Sequence, residues 1–136
     1  PALAEAVGGA CVGTKTMKLA LNLVGAFPNA RRPRVLWVGV SGDVAALRAL
    51  QKRVASATAG FGEHAEEREF HPHVTVGRVS GTSARDQATV AEVLRSLRAP
   101  PVGGWEARSV FLVRSQLEPS GAVYTDLGEF QFREVG

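Results

Sequence analysis

The chain has 136 residues, of which 45% are hydrophobic, and its 16 Lys and Arg against 13 Asp and Glu give a formal net charge of +3. This length and hydrophobic content predict one globular domain with a core of its own, and the charge is too small to indicate nonspecific binding to duplex DNA. The lone Cys11 excludes an internal disulfide, and no apolar run is long enough for a membrane span or a signal peptide. A reducing cytoplasm is therefore the expected compartment.

The first half of the chain predicts a helix, two strands and a second helix, in that order. Leu3 to Val7 is typical of the end of an amphipathic helix that stops at Gly8-Gly9, and we expect its beginning to lie upstream of Pro1. Val35 to Val40 is a continuous apolar run, typical of a central strand covered on both faces. Helical spacing of apolar residues then runs from Val44 to Gly60. The first strand is predicted with one buried face made of Met17, Leu19, Leu21 and Leu23.

The last part of the chain predicts one more helix and a β-hairpin. Thr82-Ser83 with Asp86 forms a capping signal at the start of the helix, and Pro100-Pro101 ends it. Two further strands, Trp105 to Ser115 and Ala122 to Phe132, are joined by a hairpin connection. Strands in pairs separated by single helices predict an α+β fold with mostly antiparallel pairing. The core face of the helix consists of Val90, Val93, Leu94 and Leu97.

The stretch Phe70–Val79 holds two of the three histidines, His71 and His73. It alternates apolar and polar residues as a half-buried strand does, and period-2 geometry places His73 and Thr75 side by side on one face. Both side chains can therefore reach one small anionic group such as a phosphate. The imidazole can move a proton near neutral pH, and the hydroxyl can donate a hydrogen bond to a phosphate oxygen.

The run His73-Val74-Thr75-Val76 fits the His-x-Thr-x signature of the two-histidine phosphoesterases. The wider stretch Phe70–Val79 resembles the second such motif of the bacterial 2'-5' RNA ligase (LigT-like) branch, and Gly25–Asn29 followed by Arg31–Val40 is similar to the same branch. Members of the family carry a first His-x-Thr-x motif upstream, which these 136 residues do not contain. The resemblance therefore identifies residues 1–136 as one LigT-like domain that is incomplete at its N-terminus.

For the fold, the resemblance implies a two-lobed α+β domain with mostly antiparallel sheets and outer helices. For the reaction, it implies metal-free hydrolysis of a 2',3'-cyclic phosphate at an RNA end to a 2'-phosphate, and some members also join RNA ends by a 2'-5' linkage. His73 and Thr75 are the implied catalytic residues, Arg78 and His71 the implied substrate-binding residues, and RNA ends or cyclic nucleotides the substrates, without a cofactor. Strict alternation would turn Arg78 away from His73, but Gly77 permits a bulge that re-aims it.

Two other interpretations stay open at the level of sequence. Two imidazoles on one strand face are a common half of a zinc site, so His71 and His73 would serve a metal-dependent hydrolase if Glu63 or His64 supplied a third ligand. Alternatively, a chain with one His-x-Thr-x motif is a catalytically impaired domain that binds nucleotides or RNA ends. Because they contain one such motif, these 136 residues alone are expected to be weakly active or inactive. A sheet edge left without its neighbouring strand would favour self-association.

Overall fold

The computed structural model describes residues 1–63, 68–80, 83–97 and 102–134. They form two compact units, the hairpin unit (Pro1–Met17, Ala45–Phe70 and Glu106–Gly136) and the motif unit (Lys18–Val44 and His71–Trp105). Within the described residues lie three helices and six strands: α1 (Ala2–Cys11), β1 (Met17–Phe27), β2 (Val35–Gly42), α2 (Val44–Thr58), β3 (His73–Arg78), α3 (Ala84–Ser96), β4 (Val102–Ala107), β5 (Ser109–Glu118) and β6 (Gly121–Gln131).

The motif unit is built on a four-stranded sheet with the strand order β3-β2-β1-β4. Strand β2 pairs antiparallel with β1 on one side and with β3 on the other, so the prediction of a central strand from its apolar run is confirmed. The sequence also predicts that both faces of β2 are fully covered. This prediction is wrong, because every residue from Val35 to Ser41 is only half-buried.

Strand β1 is interrupted by a bulge at Leu23. Asn22 pairs with Gly39, and Leu23 is an extra residue before pairing resumes. Its φ of 54° lies in the left-handed region, which a leucine rarely adopts. A bulge breaks the alternation of a strand, so the predicted buried face is wrong at this position. Met17 and Leu19 are buried, whereas Leu23 is 71% exposed.

Strand β3 carries a second bulge. Thr75 pairs with Trp37 and Gly77 pairs with Leu36, which leaves Val76 as an extra residue. Because side chains alternate with a period of two, one inserted residue reverses the face of every residue that follows it. The bulge therefore decides where the end of the motif strand points.

In the hairpin unit, β5 and β6 form a two-stranded antiparallel sheet. The predicted hairpin connection is confirmed: Glu118 pairs with Gly121 across a loop of Pro119 and Ser120. Gly121 has a φ of 126°, a conformation that glycine adopts without a steric penalty. The hairpin exposes apolar side chains, namely Phe111, Val113, Leu117, Val123, Tyr124 and Leu127.

Two boundaries differ from the sequence prediction. The stretch Trp105–Ser115 is not one strand, because it divides at Arg108 between β4 in the four-stranded sheet and β5 in the two-stranded sheet. The predicted stop at Gly8-Gly9 is also wrong, since α1 continues through both glycines to Cys11. A Cβ at Gly8 would lie 3.1 Å from Cδ1 of Phe130. This glycine therefore allows α1 to pack closely on β6.

Helix α3 begins where its capping signal predicts. The Ser83 hydroxyl oxygen accepts a hydrogen bond from the backbone N–H of Asp86 at 3.1 Å and donates to the Asp86 carboxylate at 2.7 Å. The predicted core face is wrong in part, because Val93 is 51% and Leu97 46% exposed. Pro100-Pro101, the predicted end of the helix, lies outside the described residues.

Helix α2 is confirmed over Val44–Thr58 and is tied to the end of α1 by an arginine. Arg53 donates from Nε to the carbonyl oxygen of Ala10 at 3.2 Å and from Nη2 to the hydroxyl of Thr14 at 2.8 Å. Cys11 is buried, and this burial raises the pKa of its thiol against the lowering effect of the Arg53 guanidinium. The thiol therefore stays neutral at pH 7 and is a poor nucleophile.

Helices together with antiparallel strands, in two compact units, confirm the predicted α+β class. Among the helices in the part of the chain that the structure describes, none has the length and apolar character needed to cross a membrane.

The indole of Trp37 lies over two glycines of the motif-unit sheet. A Cβ at Gly25 would fall 2.7 Å from Cε2 of Trp37 and closer still to two other ring atoms. A Cβ at Gly39 would lie 3.3 Å from Cζ3 of the same ring. The indole can occupy this place only because Gly25 has no side chain.

We expect Gly25→Ala to destabilise the protein by about 1–3 kcal/mol, the usual cost of extra volume in a packed site, because the new methyl group and Trp37 compete for the same space. Gly77→Ala is the matched control, since Gly77 is also a strand glycine and nothing lies within 4 Å of its Cβ position. Urea unfolding measures both changes. Adding Trp37→Phe to Gly25→Ala should recover most of the loss, and equal stability of the two alanine variants would contradict this packing.

Candidate active site

One face of the motif-unit sheet carries the predicted site residues. Alternate residues of β2 share this face, and residues paired with them across the sheet point the same way. The pairing joins Asn22 and His73 to Gly39, Gly25 and Thr75 to Trp37, and Phe27 and Arg78 to Val35. We name these nine residues the site face.

The bulge at Val76 brings Arg78 onto the site face. The extra residue reverses strict alternation, so that Arg78 pairs with Val35 on the same side as His73 and Thr75. All three of these β3 side chains are exposed. An imidazole, a hydroxyl and a guanidinium therefore line one strand, a combination that suits a phosphate because the hydroxyl and the guanidinium both donate to phosphate oxygens.

The His73 imidazole is positioned by two aromatic rings and one hydrogen bond. Its ring centroid lies 5.0 Å from that of Phe27, edge-on at 82°, and 6.2 Å from that of Trp37. Nδ1 lies 2.5 Å from the carbonyl oxygen of His71. Because a carbonyl oxygen only accepts hydrogen bonds, Nδ1 carries the proton, and Nε2 is the nitrogen left to exchange a proton with a substrate.

His71 lies just before β3 and is exposed. Its ring centroid is 6.2 Å from that of Phe27, so this phenyl ring contacts both imidazoles. The carbonyl oxygen of Pro72 accepts a hydrogen bond from the backbone N–H of Val40 at 3.1 Å, where the pairing of the two strands begins. The main chain of His71 thus orients His73, while its side chain lies at the rim of the site face.

Sequence patterns alone do not single out three residues of the site face, Asn22, Phe27 and Trp37. For Trp37 they indicate a place in the core or at a sheet edge, whereas it packs against Phe27 at a centroid distance of 5.4 Å and against His73. Its buried Nε1–H has no hydrogen-bond partner among the described residues, so ring packing holds it. The sequence feature that could have indicated this packing is Gly25, which lies opposite Trp37. It can be interpreted in this way only once the strand register is known.

The metal interpretation needs further ligands beside His71 and His73. Glu63 is exposed in the loop before β3, and His64 lies outside the described residues. In residues 1–63, 68–80, 83–97 and 102–134, no three His, Cys, Asp or Glu side chains form a group that could hold a metal ion. A chelation experiment is therefore the test of this alternative.

Residues 1–118 match the family model of the 2'-5' RNA ligase superfamily, and the chain belongs to this superfamily. The resemblance of Phe70–Val79 to these enzymes is thereby confirmed at the level of the family. A crystal structure of the protein TT0787 of Thermus thermophilus has the same fold, with a TM-score of 0.72 and 25% identity over 98% of this chain and 69% of that chain.

Similar curated proteins carry the name RNA 2',3'-cyclic phosphodiesterase. The one from Aeropyrum pernix is 35% identical over 93% of this chain and 71% of its own length, and the one from Methanothermobacter thermautotrophicus is 35% identical over 88% and 62%. The one from Aquifex aeolicus is 38% identical over 79% of this chain and 56% of its own length. The chain thus spans between 56% and 71% of these relatives. They include archaeal proteins, so the match does not restrict the family to bacteria.

Proposed function

We propose that this chain is the His73-bearing part of an RNA 2',3'-cyclic phosphodiesterase, an enzyme that opens the cyclic phosphate at an RNA end or in a cyclic nucleotide to a 2'-phosphate. The observation that carries the proposal is the placement of His73, Thr75 and Arg78 on one face, with His73 oriented by the carbonyl of His71. The names of the curated relatives support it. We further propose that both units belong to one phosphoesterase domain and that the protein acts in the cytoplasm.

Opening the ring takes two proton transfers. A water oxygen attacks phosphorus and gives its proton to a base, while the bond from phosphorus to the 3' oxygen breaks and an acid protonates that oxygen. In this proposal Nε2 of His73 carries out one of these transfers, Thr75 donates to a nonbridging oxygen, and Arg78 pairs with the negative charge. His71 binds substrate at the rim. A 5'-hydroxyl in place of water would form a 2'-5' linkage, and we extend the proposal to this joining reaction.

The second proton transfer needs a second group, for which the family resemblance implies another His-x-Thr-x motif. We expect the 136-residue chain to turn over adenosine 2',3'-cyclic phosphate about 10²- to 10⁴-fold more slowly than the same chain preceded by a family segment that carries this motif. Initial rates at equal protein concentration measure the difference. The same fusion with the added histidine changed to alanine is the control and should not restore activity.

Two results would change this account. Binding of the cyclic nucleotide without turnover in the fused protein would favour the catalytically impaired binding domain. Robust turnover by the short chain would contradict the need for a second motif, unless a dimer brings two copies of His73 to one phosphate. In that case the rate per molecule should fall as the protein is diluted.

In the active form, we expect His73→Ala to lower kcat by about 10²-fold or more, the scale of losing a general acid or base. Thr75→Val should cost less, because it removes a hydrogen bond and no proton carrier. His71→Ala is the matched histidine control and should raise KM more than it lowers kcat. Unchanged turnover in the His73 variant would refute its assignment.

The metal alternative predicts the opposite response to chelation. Because imidazoles transfer the protons in our proposal, activity should survive exhaustive dialysis against EDTA, and elemental analysis should find zinc well below one equivalent. His71→Ala should not alter the metal content. Loss of activity with EDTA that one metal restores would instead support a site at His71 and His73.

The proposal also includes self-association through the hairpin unit. Leu117 is 90% and Tyr124 70% exposed on the two-stranded sheet, and the free backbone groups of an edge strand tend to pair with another chain. Sedimentation across the concentrations of the dilution assay shows whether association and turnover change together.

A further inference from the structure

Asn22 lies in the same cross-strand row as His73, on the far side of the central strand. The register joins Asn22 on β1, through Gly39 on β2, to His73 on β3. Because neighbouring strands are about 4.8 Å apart, the Cα atoms of Asn22 and His73 are separated by about 10 Å. The glycine between them contributes no side chain, so the two polar side chains stand on either side of it on the site face, with the Trp37 indole close to the glycine.

The surface between these two side chains is aromatic, and we call it the aromatic floor. The indole of Trp37 reaches the Cβ position of Gly39, at 3.3 Å from its Cζ3, and the phenyl ring of Phe27 packs beside it at 5.4 Å. Both aromatic residues are half-buried, which leaves part of their surface open to solvent. An apolar floor with a few polar groups at its rims is typical of a small-molecule site, and aromatic faces are surfaces on which nucleobases stack.

The side-chain amide of Asn22 is oriented by the bulge in β1. Its Oδ1 accepts a hydrogen bond from the backbone N–H of Leu23, the extra residue, at 2.9 Å. A backbone N–H pairs only with the oxygen of an amide group, so this contact fixes which end of the amide faces the strand. The exposed Asn22 therefore keeps its Nδ2 donor on the side of the amide turned away from this backbone contact.

We propose that Asn22 is a nucleoside-binding residue that donates from Nδ2 to an acceptor on the ribose or base of the substrate. The inference rests on the proposed function: with the cyclic phosphate at His73 and Thr75, the nucleoside is the part of the substrate that extends across the Trp37 floor to the opposite rim. The aromatic floor takes the flat face of the nucleoside, and Asn22 binds its polar edge.

The test variant is Asn22→Asp, which keeps an oxygen to accept from the N–H of Leu23 and replaces the Nδ2 donor by an acceptor. The matched control is Asn29→Asp. Asn29 is exposed, also accepts from two backbone N–H groups, those of Arg31 at 3.0 Å and Arg32 at 2.9 Å, and lies outside the site face. Calorimetry gives the Kd of adenosine 2',3'-cyclic phosphate and of inorganic phosphate for the wild type and both variants, and urea unfolding checks their folding.

Asn22→Asp should weaken binding of the cyclic nucleotide by about tenfold, the effect of losing one hydrogen bond and facing an acceptor with a carboxylate. Its effect on inorganic phosphate should stay below about twofold, since a charge about 10 Å away acts weakly through water. Asn29→Asp should change neither Kd. If Asn22→Asp fails to fold, Asn22→Ser is the second test variant. Its shorter side chain cannot extend a donor as far as Nδ2 does, while its hydroxyl oxygen still provides an acceptor near Leu23.

Any other outcome contradicts this inference, the proposed function, or both. If Asn22→Asp binds the cyclic nucleotide as tightly as Asn29→Asp does, while the wild type binds it and the chain fused to the second motif turns it over, this inference is wrong and the proposed function stands. Equal weakening of both ligands would make Asn22 a phosphate ligand and overturn the nucleoside assignment. A wild type that binds no cyclic nucleotide would overturn the proposed function and this inference together.

Discussion

The register of β2 against its two neighbours determines which side chains share the site face. Each neighbour contains one extra residue, Leu23 in β1 and Val76 in β3, and one extra residue exchanges the two faces of the strand beyond it. Without the bulge at Val76, Arg78 would point away from His73 and Thr75. Arg78 is three positions after Thr75, so a regular strand with a two-residue period would place them on opposite faces. The guanidinium therefore shares a face with the imidazole and the hydroxyl only because of the bulge.

The orientation of the imidazole depends on a chain of contacts that begins at a glycine. Gly25 leaves room for the Trp37 indole, the indole and the Phe27 ring both contact His73, and the carbonyl of His71 accepts from its Nδ1. An aromatic pair contributes about 0.5–1.5 kcal/mol and a hydrogen bond about 1 kcal/mol. Together these exceed the rotamer entropy of an exposed side chain, which is below about 2 kcal/mol. Packing thus outweighs free rotation and sets one ring orientation.

Elements with local signals were predictable from the sequence, whereas irregular pairing was not. The cap at Ser83, the turn at Gly121 and the central strand from Val35 each follow from a few neighbouring residues. The alternating pattern that predicted Leu23 to be buried does not show that β1 contains an extra residue. Likewise, the sequence around Arg108 keeps a strand-like pattern although the chain passes there from one sheet to the other. Both features depend on partners distant in the chain. The motif residues could therefore be named in advance, but their common face could not.

The backbone at Leu23 shows what this irregular pairing requires. A φ of 54° places a leucine in the left-handed region, at a cost of about 1–2 kcal/mol, and at 71% exposure its side chain regains little by burial. Strict alternation would turn Gly25 and Phe27 to the face opposite Asn22, which would remove both the gap that receives Trp37 and the ring beside it. Strained residues of this kind cluster at functional sites. The bulge is thus the condition under which an aromatic floor and the amide of Asn22 lie on one side of the sheet, facing the histidine across the central strand.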